Sequence, residues 1–141
     1  MRVIAIDAER SRPLRQTVLR PHQTLEQLAA NERPDTHYVG IDRDGEIVAI
    51  GRVRPEGPPG SWRVSAMATA PDHRGCGLGR LILRALVEHA SARGATRVWC
   101  NARLAARGFY DREGWVVESE VFDLPDIGPH VVMARALGPV D

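Results

Sequence analysis

The sequence of 141 residues has no lysine, because all 19 of its basic residues are arginine. A Walker phosphate loop ends in Gly-Lys-Ser/Thr, so the absence of lysine excludes that class of nucleotide site. Cysteine is also scarce, with Cys76 and Cys100 as its only occurrences. No pair of Cys or His has a ligand-like spacing, so we predict free thiols and no metal site.

Long apolar runs are missing as well. No stretch approaches the roughly 20 residues that span a bilayer, and the run at Val3–Ile6 is too short for a signal-peptide core. The formal net charge of +1 gives no indication of a nucleic-acid-binding surface. We therefore expect a cytoplasmic protein without nucleic-acid or membrane partners. The length and a hydrophobic fraction of 43% predict a single domain over residues 1–141.

Hydrophobic periodicity and turn chemistry predict strands and helices in the order β-α-α-β-β-β-α-β-α-β-β. The predicted strands are 3–6, 37–41, 46–53, 62–69, 95–100, 115–122 and 131–136. Four helices are predicted. The first is 8–19, capped by Asp7, and the second is capped by Thr24 and ends at 30. The third is 78–93, and the fourth is a short helix capped by Asn101 that ends near 112. The pattern predicts one mixed α/β domain. The arginines of the first helix are expected on a solvated face or, alternatively, in contact with an acidic acceptor: Arg10, Arg12, Arg15 and Arg20.

A glycine-rich turn, residues 74–80, joins the predicted strand 62–69 to the helix 78–93. Its alternate glycines let backbone amides approach an anion closely, and the helix start adds unpaired N–H groups and the positive end of its dipole. Arg74 and Arg80 add formal charge, so the segment is typical of a pyrophosphate cradle. A dinucleotide fingerprint needs a further glycine at position 82, which is Ile. A turn that only connects two elements is the alternative.

Within this turn, Arg74, Gly77 and Gly79 form the pattern Arg-x-x-Gly-x-Gly, which resembles the coenzyme loop of the GNAT superfamily. A second segment is similar to that family's Asn at the end of the fifth strand and its Phe-Tyr-x-x-x-Gly-Phe motif. Here that segment has Asn101 and the run Phe109-Tyr110-Asp111-Arg112-Glu113-Gly114-Trp115. The segments 14–21 and 122–133 also resemble an ElaA-like subgroup.

The resemblance implies a mixed, mostly antiparallel sheet of about seven strands, with four helices or so and splayed fourth and fifth strands. It implies transfer of an acetyl group from acetyl-CoA to a primary amine of a small molecule or peptide, by direct attack in a ternary complex. No metal takes part. The coenzyme contacts that it implies are Met67, Ala68, Thr69, Arg74, Gly75, Cys76, Gly77, Leu78, Gly79, Arg80, Asn101 and Tyr110. Cys76 is then a small residue beside the ligand or, alternatively, a reactive nucleophile.

For the chemistry, the resemblance places Tyr110 beside the thioester sulfur, where it could protonate the leaving thiolate. Many family members have a glutamate on the fourth strand as general base, but residues 62–69 contain no carboxylate. His130 is the leading candidate because an imidazole titrates near neutral pH. The other candidates for the base are Glu118, Glu120 and His37.

Three functions stay open at this point. The first is the acetyltransferase, and the second is a non-catalytic acyl-CoA-binding or sensing module, which the missing fourth-strand carboxylate favours. The third is an interaction protein with a vestigial loop. The sequence does not identify the amine acceptor or the acyl chain length, and it leaves a homodimer as an open oligomeric state.

Overall fold

The computed structural model of the protein describes residues 2–138, and the strands and helices counted below are those of this range. Its eight strands are β1 (Val3–Ile6), β2 (His37–Arg43), β3 (Glu46–Pro55), β4 (Ser61–Thr69), β5 (Arg97–Arg103), β6 (Val116–Val117), β7 (Phe122–Leu124) and β8 (Gly128–Ala136). Its four α-helices are α1 (Ala8–Leu14), α2 (Leu25–Ala30), α3 (Leu78–Ala92) and α4 (Arg107–Arg112). None of these helices is long and apolar enough to cross a membrane.

The strands form one open sheet in the order β1-β2-β3-β4-β5-β8-β6, with β7 paired to the other part of β8. Every neighbouring pair is antiparallel except β4 and β5, which run parallel. This arrangement confirms the expected mixed, mostly antiparallel sheet flanked by four helices. The core lies mainly between the sheet and α3, whose buried residues recur at helical spacing: Leu78, Ile82, Leu83, Leu86 and Ala90.

The parallel pair splays apart after its first three rungs. The last matched residues are Arg63 on β4 and Trp99 on β5, and beyond them the strands continue without pairing. The other edge of β4 has a β-bulge, because Ala66 and Met67 together stand opposite Gly51 of β3. Ala66 has a φ of 53°, a left-handed conformation that is uncommon for a residue with a side chain. A gap therefore opens in the middle of the sheet.

The sequence placed the first helix only in part correctly. Asp7 caps it as predicted, since its Oδ1 accepts from the Arg10 N–H at 2.8 Å. However, α1 ends at Leu14, and residues 15–19 form a wider π-helical turn. Pro13 lies inside the helix and has no N–H, so the regular i→i−4 pattern is already broken before this turn. Thr24 caps α2 with a full capping box, as predicted.

Two predictions in the C-terminal third were wrong. Asn101 does not cap a helix: it lies inside β5, and α4 begins six residues later, after a 3₁₀ turn at Leu104–Ala106. The single strand predicted over 115–122 is two short strands, which raises the total from seven to eight. The break occurs because the Ser119 Oγ accepts the Val132 N–H at 2.8 Å, where a backbone carbonyl would continue the ladder.

Candidate active site

A cleft of ≈ 690 Å³ occupies the gap between β4 and β5. Its walls come from the facing ends of both strands, the glycine-rich turn, α4, the segment 15–31 and the last hairpin. Among the residues expected at the site, those that line it are Met67, Ala68, Thr69, Arg74, Gly79, Asn101, Tyr110 and His130. The fold therefore brings together residues from five separate parts of the chain.

The cleft passes from one face of the sheet to the other. On the α3 face, Gly51 is so close to Ile82 and Leu86 that an added Cβ would lie 2.6 and 2.8 Å from their methyl groups. The next residue, Arg52, points to the α1–α2 face, where it lies opposite Ser65 in the ladder and hydrogen-bonds its hydroxyl at 2.9 Å. One mouth therefore faces α3 and the glycine-rich turn, and the other faces α1 and α2.

The glycine-rich turn stands at the α3 mouth. Gly75 and Gly77 have φ values of 80° and 81°, which side chains rarely adopt, and Gly77 precedes the first residue of α3. Within the described chain, the backbone N–H groups of residues 75–80 donate to no protein acceptor. Arg74 is anchored beside them by its Nε, which donates to the Thr69 carbonyl at 3.2 Å. The turn presents a row of donors and a positive charge to one spot.

Other predicted residues of the turn lie at or beyond the edge of the cleft. Gly75, Cys76, Gly77 and Arg80 are exposed there, and the Leu78 side chain is buried in the core, which leaves only its backbone for a ligand. The Cys76 thiol is exposed and donates to the His73 carbonyl at 3.0 Å. No histidine or arginine side chain is hydrogen-bonded to this thiol within residues 2–138. The surroundings of Cys76 therefore do not favour a reactive nucleophile over a small residue beside the ligand.

Tyr110 lies where the α3 side of the cleft meets β5. Its side chain is 6% exposed, and its ring packs against those of Phe109 and Trp115, with centroids 5.1 and 5.3 Å away. Its hydroxyl lies beside the thiol of Cys100. Burial, followed by this neighbour, raises the pKa of Tyr110 well above its usual value, and burial raises the pKa of Cys100 to about 12. Both groups hold their protons at neutral pH.

His130 approaches the cleft from β8. The residue is 3% exposed, and its ring stacks on Phe122 at 6.0 Å between centroids. Its Nδ1 lies 2.8 Å from the Gly128 carbonyl, and because a carbonyl can only accept, Nδ1 is the donor. This hydrogen bond fixes the tautomer in which Nε2 has the lone pair. The ring is thus oriented with a proton acceptor available.

The three other candidates for a base lie outside the cleft. Glu118 is ion-paired with Arg97, and Glu120 is exposed. His37 stacks on His89 with 3.5 Å between ring centroids, and burial lowers its pKa. In the part of the chain that is described, no aspartate or glutamate lines the cleft, so His130 is the one sequence-based candidate that reaches it.

Apart from Arg74, the arginines of the cleft were not predicted as site residues. Six of them line it: Arg15, Arg20, Arg52, Arg63, Arg74 and Arg103. The expectation of a solvated helix face was wrong for Arg15, which is 4% exposed and pairs with Glu32 at 2.7 Å. Its partner is 17 residues away, so no helix-spacing rule could indicate the pair. Side chains alternate between the two faces along β3 and β5, which indicates the face on which Arg52 and Arg103 lie. This alternation points to the cleft only once the gap beside these strands is known.

An open sheet with a splayed parallel pair, a cleft in the gap and a glycine-rich turn at the following helix defines an acyltransferase fold. The sequence profile of the Acetyltransferase (GNAT) family matches residues 4–115, and the chain belongs to this family. The family that the two sequence motifs predicted is thereby confirmed.

The chain is 31% identical to the uncharacterized N-acetyltransferase YitI of Bacillus subtilis (strain 168), over 144 residues that cover 97% of each chain. An Acyl-CoA N-acyltransferase from Pseudomonas aeruginosa has a TM-score of 0.79 at 24% identity, over 96% of this chain and 99% of that one. An aminoglycoside 6'-N-acetyltransferase complexed with coenzyme A has a TM-score of 0.82 at 13% identity, over 100% and 99%. At these identities the two structures share the fold.

Proposed function

We propose that the protein transfers an acetyl group from acetyl-CoA to a primary amine of a small molecule or peptide, by direct attack in a ternary complex. The observation that supports this most strongly is the cleft itself, which is lined by residues on both faces of the sheet and extends from the glycine-rich turn to the segment 15–31. Two reactants can then enter from opposite faces and meet in the gap. Holding them in line contributes about 7–11 kcal/mol to such a reaction.

The glycine-rich turn fits the pyrophosphate of coenzyme A. Its unpaired N–H groups at residues 75–80 and the first turn of α3 offer donors, and Arg74 offers the charge. Because residues 75–77 and 80 are exposed, an anion bound at the turn stays partly solvated. The related aminoglycoside acetyltransferase was solved with coenzyme A, which supports the same ligand here. Asn101 and the residues Met67 to Thr69 extend the binding surface along the gap.

Acetyl-CoA supplies an acyl thioester, whose carbonyl oxygen becomes more negative as an amine attacks. We assign its stabilisation to backbone N–H groups of Met67 to Thr69, because β4 has no ladder partner on its β5 side there. The bulge at Ala66 and Met67 takes these groups out of the regular strand geometry. Their side chains are therefore less important than the strand path.

We assign Tyr110 to the leaving sulfur. Because burial raises the pKa of Tyr110, the phenol stays neutral and offers its proton as a hydrogen-bond donor at every physiological pH. The same burial makes the complete loss of that proton unfavourable. The hydroxyl thus stabilises the developing thiolate by donating a hydrogen bond. Tyr110 gives its proton to the sulfur only once the C–S bond has broken and the sulfur carries a full negative charge, and solvent then restores the phenol.

We assign the general-base role to His130. Its Nε2 has a lone pair, its ring is fixed by Gly128, and it belongs to the cleft wall. An ammonium group with a pKa near 10.4 costs about 4–5 kcal/mol to deprotonate at pH 7, so a base of this kind has a clear task. His130 takes this proton directly or through one water.

One observation favours a second candidate, the non-catalytic acyl-CoA-binding module. No carboxylate of the described residues lines the cleft, whereas many members of the family have a glutamate on the fourth strand as general base. Amine-dependent release of CoA from acetyl-CoA separates the two functions. A catalyst releases CoA faster when an amine panel is added, whereas a sensing module binds acetyl-CoA and releases none.

His130→Ala tests the assigned base. We expect a lower rate at neutral pH and loss of the acidic limb of the pH–rate profile, because that limb reports protonation of the base. Ser119→Ala removes the hydrogen bond to the Val132 N–H but leaves the imidazole in place, so it is the control for a disturbed β8. A profile of unchanged shape in His130→Ala would remove the histidine from the mechanism.

A further inference from the structure

The second mouth of the cleft has an uncompensated positive charge. Of the cleft arginines, Arg15 and Arg63 are ion-paired with Glu32 and Glu56 at 2.7 and 3.1 Å. Arg74 belongs to the glycine-rich turn. Three arginines remain that have no ion pair with any carboxylate of residues 2–138: Arg20, Arg52 and Arg103. We call these three the arginine cluster.

The cluster lies on one face of the sheet. Arg52 is oriented by Ser65 and by the Tyr38 hydroxyl, which accepts from its Nη1 at 3.3 Å. Arg103 stands directly opposite His130 in the β5–β8 ladder, so their side chains project to the same face.

The third member closes the group from the side of α1. Arg20 follows the π-helical turn, and its Nη1 donates to the Leu19 carbonyl at 2.8 Å. Burial lowers the pKa of Arg20, and the nearby charges of Arg103 and Arg52 lower it further, in agreement with three guanidinium groups around one space.

Three like charges around a common space repel one another, and the protein holds them there without a carboxylate. Guanidinium groups match the planar oxygens of carboxylates and phosphates, to which they donate paired hydrogen bonds. A dianion or a carboxylate in this space relieves the repulsion, and a cation increases it. The positive charge of this mouth therefore favours ligands with an anionic group over cationic ligands.

We propose that the acceptor is an amine that also bears an anionic group, a carboxylate or a phosphate, which the arginine cluster binds. This inference rests on the proposed function, because it assigns the second mouth to the acceptor. It places the amine next to His130, the ladder neighbour of Arg103. The positive surroundings also favour the neutral form of that amine, which assists a site without a carboxylate base. Polycationic amines are disfavoured by the same charges.

The test uses protein saturated with CoA, so that the glycine-rich turn is already filled. Calorimetric titrations at constant ionic strength compare inorganic phosphate, β-alanine and its neutral-ended analogue β-alaninamide. We expect phosphate and β-alanine to bind at least about tenfold more tightly than β-alaninamide, because hydrogen bonds between two charged groups are stronger than those to a neutral amide. Phosphate is an anion and β-alanine a zwitterion with a free carboxylate, and both are called anionic probes below. The stronger of the two identifies the group as phosphate or carboxylate. Equal affinity for β-alanine and β-alaninamide, together with no binding of phosphate, overturns the inference.

Arg103→Gln supplies the decisive variant, because Arg103 is exposed at a strand end and its loss leaves the core intact. The control is Arg135→Gln, an exposed arginine near the other end of β8 and outside the cleft. The anionic probes should bind about tenfold more weakly to Arg103→Gln and unchanged to Arg135→Gln. Equal binding by the two variants contradicts the proposal.

The two failures can be told apart by titrating acetyl-CoA into the same preparations. If acetyl-CoA binds and the anionic probes do not, the arginine cluster has another purpose, while the coenzyme site on which the proposed function rests is retained. If acetyl-CoA does not bind, the proposed function fails and the acceptor inference fails with it. A preference for spermidine over β-alanine in amine-dependent CoA release would also reject the cluster as an acceptor site while the transferase function remained.

Discussion

Gly51 is the residue on which the shape of the gap depends most directly. It lies on β3 opposite the bulge of β4, with α3 packed against it. A Cβ at this position would lie 2.6 Å from the Ile82 Cγ2, 2.8 Å from the Leu86 Cδ1 and 2.9 Å from the Met67 sulfur. All three distances are shorter than a normal van der Waals contact, and two of the neighbours are fully buried. Gly51→Ala must therefore move α3, the bulge, or both.

Overpacking of this kind typically costs about 1–3 kcal/mol of the free energy of unfolding. For a chain of this length that corresponds to a decrease of roughly 3–10 °C in the unfolding midpoint. Because Met67 belongs both to the contact and to the cleft wall, we also expect weaker acetyl-CoA binding in the variant. The two effects have one cause, a displaced bulge.

Chemical and thermal unfolding, with and without acetyl-CoA, measure both effects. Gly138→Ala is the matched control, because an added Cβ there meets no atom of residues 2–138 within 4 Å. If Gly51→Ala were as stable as Gly138→Ala and bound acetyl-CoA equally well, the close packing of β3, the bulge and α3 would be refuted.

Three further predictions concern ionisable groups. Tyr110→Phe should lower turnover severalfold with little change in acetyl-CoA affinity, because the ring still packs while the donor is lost; steady-state kinetics with unchanged turnover would contradict this. Hydrogen bonds from Arg12 and then Arg15 hold the pKa of Glu32 at about 2, below its ordinary 4.5, so their stabilisation is present above pH 4.5 and is lost as the pH falls toward 2. Glu32→Gln should be about 1–3 kcal/mol less stable in urea at pH 7, with a gap that narrows in acid; a constant gap would reject the pairing. Burial lowers the pKa of His89 from 6.5 to about 4, so the unfolded chain binds a proton at this residue before the folded protein does. The free energy of unfolding should therefore decrease as the pH falls from 6.5 to 4, and an NMR titration midpoint near 6.5 would disprove this environment.

Local signals in the sequence predicted local structure well. Asp44 and Gly45 form the tight turn between β2 and β3, with φ values of 54° and 90°, as turn chemistry indicates. The helix caps at Asp7 and Thr24 occur because each side chain bonds an N–H three residues away. The glycine-rich turn also lies where its pattern predicts, before α3. Each of these features depends on neighbours in the chain.

Features that depend on distant partners could not be predicted in this way. Ser119 ends a strand because it bonds Val132, which is 13 residues away, and a continuous strand has the same local pattern. The splay of β4 and β5 was expected from the family resemblance alone and has no local signature, so the sequence did not indicate which further charged side chains face the cleft. Arg52 and Arg103 alternate on strands like ordinary surface residues. Arg103 lies opposite His130 in the β5–β8 ladder, and only the gap brings Arg52 into the same cleft.

The central claim is that the glycine-rich turn and the gap bind acetyl-CoA, and thermal unfolding with acetyl-CoA, NAD and ATP tests it most directly. A ligand at about 100 times its dissociation constant stabilises a native protein by about 2.7 kcal/mol, or roughly 5–10 °C at this length. We predict that acetyl-CoA alone gives this shift, and that Arg74→Ala greatly reduces it while its own midpoint stays near wild type, since Arg74 is exposed. No shift at saturating acetyl-CoA, or an equal shift in Arg74→Ala, would contradict the account.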